Sequence, residues 1–231
     1  MDSIFLEIKN KNNVKNIIID IRENGGGTDP NETILCTYFS KKPFRENVEA
    51  YTLTNEIPFP QYYNFNTAID SLKKIKQKEL EDELKMYHNV YKNKKWYQND
   101  TFNTFFQPHK NRFEGPLYII INPNVASAAS HFASLAKAYT NAIFVGEETT
   151  GGYYEHVGHY SLEYTLPNSK IAFGLSMVHV TQDAIPFKSQ PKGRGIIPDY
   201  EVKQTLKDFL SNTDTQMEFV KKLINEGNRK K

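Results

Sequence analysis

Two stretches of the chain are apolar at nearly every position yet only as long as a strand: Asn16-Ile17-Ile18-Ile19-Asp20-Ile21 and Leu117-Tyr118-Ile119-Ile120-Ile121. A strand that is apolar on both faces has to be covered on both, as in a parallel sheet flanked by helices. Each run then meets a chain-reversing sequence, Gly25-Gly26-Gly27 after the first and Asn122-Pro123-Asn124 after the second. Beyond the second turn, Ala128 to Tyr139 has the composition of a strong helix, and Ala142-Ile143-Phe144-Val145 is a further short strand ending at Gly146. Strand, turn, helix and strand in this order form a βαβ unit, whose crossover brings the loops after the strands to one edge of the sheet. The predicted fold is α/β with a core of parallel strands.

Around that unit the pattern is less uniform. Ile4, Phe5 and Ile8 are spaced as on a helix, whereas residues 28–60, interrupted by Pro43, Pro58 and Pro60, read as irregular with one or two strands. From Ile69, the positions Leu72, Ile75, Leu80, Leu84, Tyr87 and Tyr91 give a long helix with a narrow apolar stripe, followed by aromatics from Trp96 to Phe106. Residues 61–110 are therefore expected to be a helical insertion, either a lid or a solvated strut, in a core made of residues 1–60 and 111–231. Tyr160 to Thr165 and Lys170 to Leu175 flank a hairpin connection, and Ile196 to Tyr200 returns the chain to an extended edge. Asp214 is a suitable cap for a terminal amphipathic helix carrying Met217, Val220, Leu223 and Ile224.

Composition removes several function classes. With 29 basic and 27 acidic side chains the net charge is +2, so no single-sign field points to nucleic acid. The lone cysteine, Cys36, excludes an intramolecular disulfide and a cysteine-based zinc site. No window approaches the ~20 apolar residues of a membrane span, and the first residues lack the pattern of a secretory signal. An apolar share of only 39% predicts a large solvated surface or a core completed from outside the chain.

The chemistry concentrates in three phrases. Gly25-Gly26-Gly27 can aim unshielded backbone N–H groups at an anion, either a phosphate or a transient oxyanion. Pro30 stands where a dinucleotide fingerprint needs glycine, and no Gly-Lys-Ser/Thr follows, which weakens the phosphate reading. Ser127 opens the helix after the second buried strand, where it is either an N-cap or a nucleophile. Small neighbours, Ala126, Ala128 and Ala129, leave its hydroxyl accessible, and the Ala128 N–H together with the helix dipole would stabilise negative charge beside it. Gly151 to His159 places Glu155, His156 and His159 between glycines on an expected loop. Imidazole suits the role of base, which makes His156 the first candidate and His159 the second; the spacing does not force a metal site.

Four phrases in order, Asp20-x-Arg22-x-Asn24-Gly25-Gly26-Gly27, Val125-Ala126-Ser127-Ala128-Ala129, Gly146-Glu147-Glu148-Thr149-Thr150-Gly151-Gly152 and Gly195-Ile196-Ile197-Pro198-Asp199, resemble peptidase family S41, the C-terminal processing and tricorn-like peptidases. The resemblance implies a ClpP/crotonase-like α/β core and a serine endopeptidase acting through an acyl-enzyme on Ser127. It also implies an oxyanion hole from Gly25, Gly26 and the Ala128 N–H, a peptide or protein substrate, no cofactor or metal, and a place in the cell envelope or periplasm. Its closing part is similar to versions common in Bacteroidota.

The departures are specific. Gly152 stands where the processing peptidases carry a lysine base, and Lys192 where the tricorn-like branch has a glutamate. The tricorn-like histidine would fall upstream of Met1, so the expectation is an N-terminally truncated catalytic domain. His156 is the candidate base within the chain, with Glu147 and Glu148 expected to bond loop N–H groups. The alternative is a non-catalytic peptide-binding module that has lost its general base.

Overall fold

The structure is a computed structural model and describes residues 1–11, 13–27 and 30–229. In chain order it contains α1 (Asp2–Lys11), β1 (Ile17–Asp20), α2 (Asn31–Thr37), β2 (Asn47–Thr52), α3 (Asp70–Tyr87), β3 (Val90–Lys92), β4 (Lys95–Tyr97) and β5 (Leu117–Ile121). Then follow α4 (Ser127–Tyr139), β6 (Ile143–Gly146), β7 (Glu155–Thr165), β8 (Ala172–Gln182), β9 (Tyr200–Glu201), α5 (Leu206–Leu210) and α6 (Thr215–Arg229). The chain divides into two compact units, one of Met1–Phe44, Phe105–Tyr154 and Asp183–Lys231, the other of Arg45–Thr104 and Glu155–Gln182.

The first unit is the expected α/β core. Its sheet has the order β1-β5-β6-β9, with every pair parallel. β5 lies inside the sheet and is buried throughout, and its side chains alternate between two cores. Leu117, Ile119 and Ile121 pack with Phe5 of α1, Cys36 of α2, Phe132 and Ala136 of α4, and Phe144. Tyr118 and Ile120 pack with Val145 and with Val220, Met217 and Leu223 of α6. This two-sided cover explains why the run carries no alternation of polar residues. β1, at the end of the described sheet, is only half-buried along Ile17 to Ile19.

The second unit is an antiparallel sheet of order β3-β4-β2-β8-β7 with α3 against it. Leu84 of α3 joins Ala50, Val178 and Val180 in one small core, and Ile57, Phe65, Leu162 and Tyr164 form a second with Leu80 beside it. A bulge interrupts the β7–β8 pairing between Gly158 and Ser161, where His159 and Tyr160 both take positive φ, 52° and 46°.

Several expectations change. Residues 28–60 hold a helix and a strand: α2 buries Thr33, Cys36 and Thr37 on one face, and the hydroxyls of Thr33 and Thr37 bond back to the carbonyls of Pro30 and Ile34. The long helix stops at Tyr87 rather than reaching Tyr91, because Asn93 and Lys94 (φ 52° and 60°) turn β3 into β4 as a hairpin without glycine. The two compact units are set by strand pairing across the chain. β2 pairs with β8, so residues from 45 onward and the whole β7–β8 hairpin belong with α3.

Candidate active site

In the first unit, the turns that follow β1, β5 and β6 are joined by backbone hydrogen bonds. The Ala126 N–H donates to the Asn24 carbonyl (3.3 Å), and the Gly151 N–H donates to the Val125 carbonyl (3.1 Å). Glu23, at φ 61°, accepts hydrogen bonds from the side-chain amides of Asn122 and Asn124, each at 2.6 Å, which ties the first turn to the second. Three of the four sequence phrases thus meet at one edge of the sheet, as parallel strands require.

Ser127 and Gly26 are in direct apposition there. A Cβ built on Gly26 would lie 2.5 Å from Ser127 Cβ, 3.0 Å from Ser127 Oγ and 3.0 Å from the Ala128 nitrogen. Gly26 also has φ 112°, so both its conformation and its lack of a side chain are needed. Ser127 is exposed and holds φ 50°, a strained value for a residue with a Cβ at the start of a helix. It is not the cap: Ala126 occupies the N-cap position, and no side chain makes a capping bond. The Ala128 N–H, in the first turn of α4, has no acceptor among the described residues. The Gly26 N–H, by contrast, is already donated to Asn24 Oδ1 at 3.0 Å. Gly25 faces open space.

The fourth phrase, and charged side chains of the others, brace this edge. Glu148 accepts from Arg194 Nε (2.8 Å) and from the Gly195 N–H (2.9 Å), and the Arg194 contact holds its carboxyl below the usual range. Thr149 Oγ1 accepts from the Ile196 N–H (2.9 Å), and Asp199 accepts from the Phe144 N–H (2.8 Å), locking the loop after β6 to the segment before β9. Glu148 therefore does bond a loop N–H. Arg22 forks between Asp20 (2.9 and 2.6 Å) and Asp214 (2.9 and 2.6 Å), fastening β1 to the N-terminus of α6. The bond from Arg22 lowers the Asp214 carboxyl pKa.

His156 lies in the second unit and on strand β7, not on a loop; it opposes Val180, and its ring lies over Gly158. The ring centroids of His156 and His159 are 6.4 Å apart, and Glu155 contacts His179 at 3.5 Å. Among the described residues, no three His, Cys, Asp or Glu side chains are grouped to hold a metal ion, and no helix is long and apolar enough to cross a membrane. Sequence reasoning missed Asn24 and the pair of Glu32 with His131, 3.3 Å apart and both buried. Asn24 precedes the glycine turn, and its side chain accepts the N–H two residues on as an Asx turn, a local signal that an Asn before glycines carries.

A serine on a strained helix start, facing a glycine turn at the ends of parallel strands, defines the class as a parallel α/β unit with a serine at its sheet edge. The chain belongs to peptidase family S41, whose model matches residues 1–202. It is similar in fold to a putative peptidase from Parabacteroides merdae (17% identity, TM-score 0.55), covering 96% of this chain and 56% of that one. It is also similar to mature CPAF complexed with lactacystin (15% identity, TM-score 0.54), covering 96% of this chain and 45% of that one. The chain thus spans about half the length of these two proteins. No curated protein matches it.

Proposed function

We propose that the chain carries the nucleophile of a serine endopeptidase. In this reading Ser127 Oγ bonds to the carbonyl carbon of a peptide while its proton passes to a base, and the oxyanion is held by the Ala128 N–H. The C–N bond then breaks, the amine leaves with that proton, and water hydrolyses the acyl-enzyme to regenerate the hydroxyl. The observation that carries the reading is the apposition of Ser127 with Gly26: the Ser127 hydroxyl and the unpaired Ala128 N–H each lie 3.0 Å from where a Gly26 Cβ would stand. Gly25 is the second proposed oxyanion donor, and Gly26 joins it once Asn24 releases its N–H. His156 is proposed as the base on its chemistry alone.

A serine-reactive fluorophosphonate tests the proposal: labelling of the wild type and none of Ser127→Ala is expected. Because the hydroxyl makes no capping bond, Ser127→Ala should abolish peptide hydrolysis and move stability by no more than about 0.5 kcal/mol in urea unfolding. A His156→Ala rate lowered by about 100-fold or more supports that base, and an unchanged rate removes it. The engaged Gly26 N–H, together with Gly152 and Lys192 at the family's base and glutamate positions, favours the second reading, a peptide-binding module without catalysis. That reading requires peptide binding with no labelling. The family resemblance extends the proposal to the cell envelope or periplasm, which fractionation of the native protein checks.

A further inference from the structure

Beside Ser127, in the same unit, is a pocket of about 240 Å³. Gly26 and Ala128 line it; a Cβ on Gly26 would lie 3.0 Å from both the Ser127 hydroxyl and the Ala128 nitrogen. Its apolar wall includes Ile21, Leu35 and Phe132, and among the described residues Glu32 is its one ionisable side chain. The volume is below the roughly 300–1,000 Å³ of a site for a whole small molecule and suits a single long side chain.

Glu32 is the unusual feature. It is only 6% exposed; Oε1 lies 3.3 Å from His131 Nδ1, and Oε2 is buried with no hydrogen-bond partner among the described residues. A carboxylate buried with one oxygen lacking a donor is unfavourable, and a cation placed beside the carboxylate offsets its charge. We propose that the pocket receives the side chain of the residue contributing the scissile carbonyl, and that Glu32 selects lysine or arginine there. The methylene stem lies along the apolar wall and the charged head reaches Glu32, a charge-assisted bond that a neutral isostere cannot make. The sharing of Gly26 and Ala128 between pocket and nucleophile is what assigns it to the carbonyl side of the bond. The inference rests on Ser127 being the nucleophile and adds a substrate class to that reading.

Peptides identical except for lysine, norleucine or glutamate at that residue test it on the full chain. Binding to Ser127→Ala is measured by calorimetry and hydrolysis by the wild type. Lysine should exceed norleucine by about tenfold or more in affinity, with glutamate weakest. Glu32→Gln, which keeps shape but removes the charge, should bring the lysine-to-norleucine ratio close to one. Leu35→Lys, which supplies a tethered ammonium to a half-buried wall position, should do the same and decides the matter if Glu32→Gln does not fold. Equal binding of lysine and norleucine, a ratio that survives both substitutions, or no binding of any peptide overturns the inference. Fluorophosphonate labelling separates the two claims. Labelling without lysine preference removes only the pocket assignment, whereas lysine-selective binding without labelling removes the nucleophile and, with it, the carbonyl-side assignment of the pocket.

Discussion

At Gly26 two requirements coincide: φ 112° and no room for a Cβ within 2.5 Å of Ser127 Cβ. Gly26→Ala should therefore abolish fluorophosphonate labelling and cost ~1–3 kcal/mol in urea unfolding, whereas Gly25→Ala, with nothing within 4 Å, should fold as the wild type. The run of three glycines made the turn legible, but which glycine is indispensable depends on where Ser127 arrives from a distant part of the chain. His88 poses a different residue-scale problem. It is buried with neither ring nitrogen partnered among the described residues, and burial lowers its pKa. With the folded value below the unfolded one of about 6.5, the unfolded chain binds the proton first. Stability is then full above pH 6.5 and lost as pH falls from there toward the folded value. Trp96, the single tryptophan, lies in the same unit and reports its unfolding by fluorescence. The pH dependence below 6.5 should flatten in His88→Phe.

Among the elements, α6 depends on a contact that its own sequence half announces. Asp214 has the character of a cap, and its Oδ1 accepts the Met217 N–H at 2.9 Å, but both oxygens also receive Arg22 from the first strand. Asp214→Ala removes the cap and leaves Arg22 with Asp20 and Gln216, so a loss of about 1–2 kcal/mol is expected in denaturant unfolding. The Asp214 carboxyl is lowered below its unfolded value, first by the bond from Arg22. Its contribution is thus present above about pH 4 and lost as pH falls through the folded value, and Asp214→Asn should be less sensitive to acid than the wild type. The cap was legible from the Asp before a 3.6-residue period. The arginine was not, because its partner lies nearly the whole chain away.

For the whole molecule, the division into units follows strand pairing rather than sequence order. α3 buries only Leu84 along its length, so few apolar contacts hold it closed. Hydrogen exchange should be faster along α3 than at Ile119 to Ile121, and equal protection would exclude a mobile cover built from this helix. The sequence by itself determined the parallel core, the helix opened by Ser127 and the glycine turn, since continuous apolar runs, helix periodicity and glycine clusters are local records of burial and backbone freedom. Only the tertiary structure decided that β2 pairs with β8, that His156 sits on a strand, and that Glu32 is buried beside Gly26 and Ala128. The reason is physical: local patterns tell a segment how much of itself to bury, whereas the partner of each buried group is set by segments that meet only when the chain has folded.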